Sequence, residues 1–583
     1  MAKLRGAQIV VASLVAQGIE YIAGIPGHTV LDLVEAIRER QDEIKPILVR
    51  NEETAAFMAD AYFRTTGKPM AIYGHNSVGS ANLLTGVLNA YLDSSAIIVI
   101  TGQVWSRNQG RGAYQELSRK QDAATSQMFE HAVKRTWHVD RPERLPEIMA
   151  RAYKTAITGR PGPVHIDITQ DAFVEWADCE IPRPQTYRVH DRPVGDKAAL
   201  KRAVELLMAA ERPAIVAGGG ATLSEAGDEI RKLAEALQAP IVTTVPGKGS
   251  VPENHPLSFG INGWVGSYVA NRVSTEADVL LAVGTRLSEV GASSWIQGKT
   301  YSIPDTKLIQ IDIDYDEIAK FYPVEVGVVG DARNTIAAMT ELVTAQQLRP
   351  RTSDWLDSLN AEQRSWDERT QADKVSDSVP LNPGRLLAEL IPLMDENDII
   401  IGDVGNAHKW IAQQYPAFKP RTVISTMGGA AMGFGPCGAL GAQLAHPDSK
   451  VVCWAGDGGL TMVIHALITA AEYRLPVVYV VLNDFAYGAV KRPQEMRYGL
   501  EKTLFSEFRY EGNQDEYRLD LAAVAVAMGI SAEVVEHPEQ IRAAYERAFR
   551  ANGPYLIDAR TNVDAYVPMG GGVFALPPVS DPC

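Results

Sequence analysis

Eight apolar runs constrain the fold of this chain more than any other feature. They are Ala96–Gly102, Pro163–Ile168, Pro213–Gly220, Asp278–Gly284, Lys307–Asp314, Asp398–Gly405, Lys450–Gly459 and Pro476–Asp484. None alternates between apolar and polar residues, so each strand must be covered on both faces. Longer helical patterns separate them. Buried parallel strands flanked by helices satisfy both observations. The predicted fold class is therefore α/β, with three doubly wound parallel-sheet domains. At 583 residues the chain is too long for one hydrophobic core. A proline-bearing stretch, Cys179–Gly195, and a polar, helical stretch at about 346–383 read as linkers. They divide the chain into blocks 1–178, 196–345 and 383–561, followed by a Gly- and Pro-rich tail, 562–583.

Charge and cysteine content exclude several functions. The formal net charge is −15, with no block of like charges, which argues against nucleic acid as a partner. The cysteines, Cys179, Cys437, Cys453 and Cys583, form no C-x-x-C pair, so neither a zinc site nor a disulfide framework is indicated. No stretch approaches the roughly 18 apolar residues that span a bilayer. These features place the chain in the cytoplasm, away from membranes, with reduced thiols.

The strongest chemical signal lies in the third block. The run Val451–Ala455 leads into Gly456-Asp457-Gly458-Gly459 and then a helical pattern. Glycines let backbone N–H groups approach a phosphate, and Asp457 is a hard oxygen ligand for Mg²⁺. Asp484 ends the next apolar run, 27 positions later. Adjacent parallel strands would bring both acids to one sheet edge. Gly-Asp-Gly alone also describes an ordinary tight turn; the second acid at this spacing favours the metal site.

At this point the sequence resembles the thiamine-diphosphate enzymes, the family of acetolactate synthase, pyruvate oxidase and benzaldehyde lyase. The resemblance covers nearly the whole chain. The family follows its Gly-Asp-Gly with Asn after about this interval. Here Asp484 stands there, preceded by Asn483. The resemblance implies thiamine diphosphate and Mg²⁺ as cofactors, held by Asp457, Asp484 and the backbone carbonyl of Ala486. Val404, Gly405 and Asn406 resemble a second diphosphate-contacting turn. Met432, within Thr426–Gly435, falls on the position that wedges the cofactor into its bent form. In the string Val49–Ala56, followed by Met58–Tyr62, the cofactor-activating glutamate corresponds to Glu52. Its carboxyl group would share a proton with the aminopyrimidine nitrogen. Neighbouring Glu53 reads as a solvated carboxylate.

Three further residues match pocket positions of the family, His28, His75 and Gln115, and the two histidines are candidates for proton transfer. Acetolactate synthase usually has Gly at the position of His28, and a Trp in the segment after the metal loop. Here that segment is Tyr487–Pro493, without Trp. In this respect the pocket looks more like cyclohexane-1,2-dione hydrolase and sulfoacetaldehyde acetyltransferase. Lys491 and Arg492 either bind an anionic substrate or form a solvated surface pair. In the middle block, Gly219, Arg286 and Asp312 resemble loops that hold the ADP half of FAD in flavin-bearing relatives. A structural FAD is expected there, with ADP or nothing as alternatives.

The expected reaction is cleavage of a C–C or C–S bond next to a carbonyl in a small 2-oxo, 1,2-dicarbonyl or sulfoaldehyde-type substrate. The alternative is carboligation of 2-oxo acids, as in acetolactate synthase. Retention of both Glu52 and Asp457 argues against a non-catalytic binding protein. The resemblance also implies a homodimer or homotetramer, with active sites shared between the first block of one subunit and the third block of another.

Overall fold

A computed structural model of the chain describes residues 2–117, 125–188, 191–345, 354–499, 502–511 and 515–572. It contains three six-stranded sheets. The first is built from Tyr21–Gly24, Lys45–Leu48, Met70–His75, Ile97–Gln103, Thr136–Val139 and Val164–Thr169. The second comprises Pro213–Ala217, Ile241–Thr243, Ser258–Ile261, Val279–Val283, Lys307–Asp312 and Val326–Val329. The third comprises Ile399–Gly402, Val423–Ser425, Val451–Gly456, Val477–Asn483, Ser531–Val535 and Tyr555–Arg560. Every pairing in the three is parallel. All eight apolar runs of the sequence lie in these sheets.

Within each sheet, strands taken in chain order give the order 2-1-3-4-6-5 in the first and third, and 3-2-1-4-5-6 in the second. The first and third units thus share a topology that their sequences do not display. In each sheet the winding direction reverses beside the first strand. The crevice at the strand carboxyl ends there is where open α/β sheets bind ligands. In the first sheet it lies between Tyr21–Gly24 and Met70–His75. In the second it lies between Pro213–Ala217 and Val279–Val283, and in the third between Ile399–Gly402 and Val451–Gly456.

The stretch 179–195 is less linker-like than its composition suggests. Cys179 ends a strand, Trp176–Cys179, that pairs antiparallel with Ala2–Arg5, and Pro184–Tyr187 is a short helix. In the second stretch, helix Asp354–Lys374 matches the helical composition. The tail, as far as residue 572, docks on the second and third units: Asn271 Nδ2 donates to the Gly570 carbonyl and Gln413 Nε2 to the Pro568 carbonyl. Residues 573–583 of the expected tail, including Cys583, lie outside the described residues. No helix among the described residues is long and apolar enough to cross a membrane.

One core unites the first and third units. Helix Glu52–Thr66 crosses helix Phe434–Ala445, burying Phe57, Met58, Phe434 and Leu440 completely. Phe57 and Phe434 meet edge to face, with centroids 6.1 Å apart. The approach is close because the contact residues are small. A Cβ on Gly441 would lie 2.0 Å from the Met58 carbonyl oxygen, and one on Gly438 would lie 3.0 Å from Ala61 Cβ. Gly441→Ala is therefore expected to force the helices apart, at a cost of about 1–3 kcal/mol or more. A lowered midpoint of thermal unfolding would show it; an unchanged midpoint would mean that the crossing is looser than it looks.

Candidate functional site

The third crevice collects every residue singled out around the Gly-Asp-Gly motif. Asp457 opens helix Asp457–Met462, where its charge complements the helix N-terminus. Its Oδ1 accepts from the Gly458 backbone N–H at 2.6 Å, while Oδ2 is buried without a partner. Asp484 follows the neighbouring strand, and its Oδ1 accepts from the Ala486 N–H at 3.2 Å. Burial raises the pKa of both carboxyls, and the charge of Asp457 raises that of Asp484 further. An orphaned carboxylate oxygen beside a second buried carboxylate fits a bound cation. Among the described residues no three His, Cys, Asp or Glu side chains converge. A cation here would need oxygens from the backbone and from a ligand as well. That donor set suits Mg²⁺ bridging to a diphosphate.

Asn483 does not compete for this position. Its Nδ2 donates to Asp558 Oδ1 at 2.8 Å and to the Leu519 carbonyl. Strand alternation turns Asn483 away, so Asp484 is the side chain offered to the crevice. A Cβ on Gly488 would lie 3.2 Å from Asp484 Oδ2 and 3.1 Å from Asn406 Nδ2, which places Asn406 beside the carboxylate. Gly405, with φ of 95°, makes the turn before Asn406, in a region few residues other than glycine adopt. Val404 precedes it in the same turn. Gly456 is open to the crevice, and Gly459 packs on Asp403, where a Cβ would fall 1.8 Å from Oδ2.

Asp403 opens the turn that resembles a second diphosphate contact, but its side chain serves the protein itself. It is fully buried, and its oxygens accept from the backbone N–H groups of Gly433 and Gly435. Burial pushes its pKa up to about 6, against the pull of those N–H groups. It fixes one end of the loop carrying Met432. The other end is held by the first unit: Asn89 Oδ1 accepts from Thr426 Oγ1 and the Ala431 N–H, and Asp93 Oδ1 from the Gly428 N–H. Asn89 is in turn held by the buried Asp60. Met432 Cε then lies 3.5 Å from where a Gly458 Cβ would stand, so the thioether edges the phosphate turn. Asp60, Asn89 and Asp403 are ordinary polar residues in sequence; only the fold connects them.

The first crevice holds the other group. Glu52 is buried at the start of its helix, and its Oε2 accepts from Asn82 Nδ2 at 2.9 Å. Oε1 faces Gly79, where a Cβ would approach to 2.9 Å. His75 ends its strand. Its Nδ1 accepts from the Thr29 backbone N–H at 3.1 Å, which leaves the proton on Nε2, 2.6 Å from Gln115 Oε1. Gln115 has a φ of 61°, held by Ser77 Oγ donating to its carbonyl. His28 sits on the same rim, one residue before Thr29, but its ring is exposed and makes no hydrogen bond among the described residues. Glu53, expected to be solvated, is half-buried, and burial raises its pKa. Among the described residues no hydrogen bond or ion pair links Glu52, His75 or Gln115 to Asp457, Asp484 or Asn406.

The second crevice opens into a cavity of about 940 Å³, lined by Gly219, Arg286 and Asp312 among others. Arg286 makes no ion pair among the described residues; burial and the neighbouring Arg160 lower its pKa. Burial pushes the Asp312 carboxyl up to about 6. The cavity and an unpaired guanidinium suit an anionic ligand of dinucleotide size. Lys491 is a different case. Its ammonium lies 3.4–3.6 Å from Glu495, Glu507 and Asp564, so it is not available to a substrate anion.

Comparison with known proteins adds an independent line. Residues 4–125 match the "Thiamine pyrophosphate enzyme, N-terminal TPP binding domain". Residues 200–339 match the central domain of the same enzymes, and 403–559 their C-terminal TPP binding domain. The chain is 34% identical over 575 residues to a probable acetolactate synthase large subunit of Methanococcus aeolicus, covering 95% of this chain and 92% of that one. It is 33% identical over 584 residues to the corresponding protein of Methanocaldococcus jannaschii, covering 97% and 93%. It is also 33% identical over 567 residues to the acetolactate synthase isozyme 1 large subunit of Escherichia coli, covering 97% and 95%.

Replacing Asp457 by Ala removes the carboxylate whose free oxygen is buried in the crevice. Isothermal titration is expected to show that Mg²⁺-dependent binding of thiamine diphosphate is lost in Asp457→Ala and retained, with altered metal affinity, in Asp484→Asn. Undiminished binding by Asp457→Ala would remove it from the metal site.

Proposed function

The chain belongs to the thiamine pyrophosphate enzyme family, and on that footing we propose that it is a carboligase of the acetolactate synthase type, joining two small 2-oxo acids. The observation that carries this reading is the match along the full length of proteins named acetolactate synthase large subunits. It reverses the order of preference drawn from the pocket residues, which put bond cleavage first. A histidine and a missing tryptophan are local departures, and they weigh less than similarity across all three units.

Thiamine diphosphate, when bound with Mg²⁺, would supply the carbon nucleophile that attacks a carbonyl. The chain's own residues do the rest. Asp457 and Asp484, with the Ala486 carbonyl, would hold the cation, and Gly456, Gly458, Gly459, Val404, Gly405 and Asn406 would cradle the diphosphate. Met432 would support the bend of the cofactor. Asn82 occupies Glu52 Oε2, so Oε1 is the atom left to hold and return a proton. His75 Nε2–H orients the Gln115 side chain, whose amide N–H groups are then free for a substrate oxygen. His28 stands at the entrance. In the second unit we assign the cavity to FAD in a structural role, with Arg286 toward its diphosphate and Asp312 toward a ribose.

The two groups would act on one cofactor from different subunits of a homodimer or homotetramer. Large exposed apolar side chains surround both. Val78 is 53% exposed and Tyr114 77% beside the first; Met496 is 77% and Phe505 85% exposed beside the second. Such surface normally marks an interface. A second reading, cleavage with water as acceptor, is favoured by the His75–Gln115 contact, which offers a route for a proton to a polar acceptor.

With thiamine diphosphate, Mg²⁺ and pyruvate, the enzyme is expected to release CO₂ and accumulate acetolactate. Turnover of cyclohexane-1,2-dione or sulfoacetaldehyde without ligation of pyruvate would establish the second reading instead. Glu52→Gln should bind cofactor yet slow proton exchange at thiazolium C2 by roughly a hundredfold or more. Exchange at the parental rate would exclude Glu52 as the activating group. Hybrids of Glu52→Gln and Asp457→Ala subunits should recover activity if sites are shared. Demonstrated subunit exchange without recovery would place both residues in one chain.

A further inference from the structure

Lys409 stands where a cation is costly. It lies in the opening turns of helix Asn406–Gln414, three positions after Asn406 and near the positive end of the helix dipole. Burial pushes its amine down to about 8. Two contacts hold it there. Its Nζ donates to Asn406 Oδ1 at 3.1 Å. It also lies 4.5 Å from the ring centroid of Trp264, in the second unit. The segment carrying Trp264 is tied to the same helix. Gln413 Nε2 donates to the Val265 carbonyl at 3.3 Å, and Ala412 is buried with Val265 in a small cluster on which Trp264 packs.

The first contact has a chemical consequence for Asn406. An asparagine amide can turn over with little change of shape, which exchanges its donor and its acceptor. An ammonium carries three donors and no acceptor, so Lys409 admits only the orientation with Oδ1 toward it. Nδ2 then faces the crevice. It lies 3.1 Å, and Asp484 Oδ2 3.2 Å, from the point where a Gly488 Cβ would stand. In the reversed orientation a carbonyl oxygen would face both the Asp484 carboxylate and any phosphate oxygen bound beside it. Acceptor would then meet acceptor, with no hydrogen bond to offset the repulsion.

We propose that Lys409 is a positioning residue for the diphosphate cradle: seated on Trp264, it holds the Asn406 amide with Nδ2 toward a phosphate oxygen. This deepens the placement of thiamine diphosphate in the third crevice and rests on it. Lys409 acts through Asn406, because it stands on the Oδ1 side of the amide and the crevice lies on the Nδ2 side. The indole of Trp264 limits where the ammonium can go, so the donor stays aimed at one atom. Trp264 is also a wall of the second unit's cavity. The contact between the second and third units thus has a task beyond packing: it carries the seat of the residue that sets the amide.

The test is isothermal titration of thiamine diphosphate, with Mg²⁺ present, into the enzyme at pH 7. Lys409→Met is expected to weaken binding roughly tenfold, and Lys409→Arg, again a donor only, to restore part of the loss. Trp264→Ala is expected to weaken it roughly threefold. The deciding comparison is a double-mutant cycle. Asn406→Ala should cost at least as much as Lys409→Met, and the double variant no more than Asn406→Ala alone. A merely structural lysine would instead lower the unfolding midpoint of the cofactor-free protein, and its loss would add to that of Asn406→Ala. Parental affinity in Lys409→Met, or a further loss from it in the Asn406→Ala background, would overturn the proposal while leaving the cradle in place. Parental affinity in Asn406→Ala would remove Asn406 from the cradle and the positioning role with it. No binding of thiamine diphosphate by the parent would bring down the cofactor reading itself.

Discussion

The contact between helix Glu52–Thr66 and helix Phe434–Ala445 holds the molecule's chemistry in place. It joins the first and third units into one apolar core, through Phe57, Met58, Phe434 and Leu440. Because Gly438 and Gly441 carry no Cβ, the helices approach until backbone and side chains touch. Close packing transmits position well, since an interior at crystal-like density has few alternative arrangements. Glu52 opens one helix, and the loop carrying Met432 leads into the other. The core that binds the two units thus also sets the candidate catalytic carboxylate and the candidate cofactor wedge.

Three sheets repeat one solution to ligand binding. Each reverses its winding beside its first strand, and each crevice carries a set of residues with unspent binding capacity. In the first, Glu52 Oε1 and the Gln115 amide make no hydrogen bond among the described residues. In the second, Arg286 lines a cavity and makes no ion pair among the described residues. In the third, Asp457 Oδ2 is orphaned beside Asp484. Two other buried carboxylates are satisfied within the protein. Asp403 accepts two backbone N–H groups, and Asp60 is held by Asn89 and Ser95. The contrast separates carboxylates that organise loops from those left available to a ligand.

The strands that the sequence reveals are mainly the inner ones. All eight long apolar runs became strands, whereas the six edge strands, such as Lys45–Leu48, Val326–Val329 and Ser531–Val535, went unrecognised. Edge strands are short and partly exposed, so they lack an uninterrupted apolar run. Among candidate site residues, Asp457, Asn406 and Met432 could be proposed because glycine-rich turns surround them, and Asp484 because it ends an apolar run. Asn89 was missed because nothing in its local sequence distinguishes it from any polar residue. Glu53 was misjudged, and Lys491 left between two readings, for a related reason: solvation depends on which helix or loop lies opposite, and that is not local information.

By itself, the sequence determined two things, the class of fold and membership in a cofactor family, and it offered a candidate phosphate-and-metal turn. All follow from short-range patterns, namely hydrophobic runs, glycines that permit backbone approach and acids at strand ends. Tertiary structure alone decided the common topology of the first and third units and the loop clamp from Asp60 through Asn89 to Thr426. It also decided the turn of Asp484 rather than Asn483 toward the crevice, and the enclosure of Lys491 by Glu495, Glu507 and Asp564. Each of these depends on the burial and charge of groups far apart in the chain. Electrostatic compensation is a property of neighbours in space, and only folding chooses those neighbours.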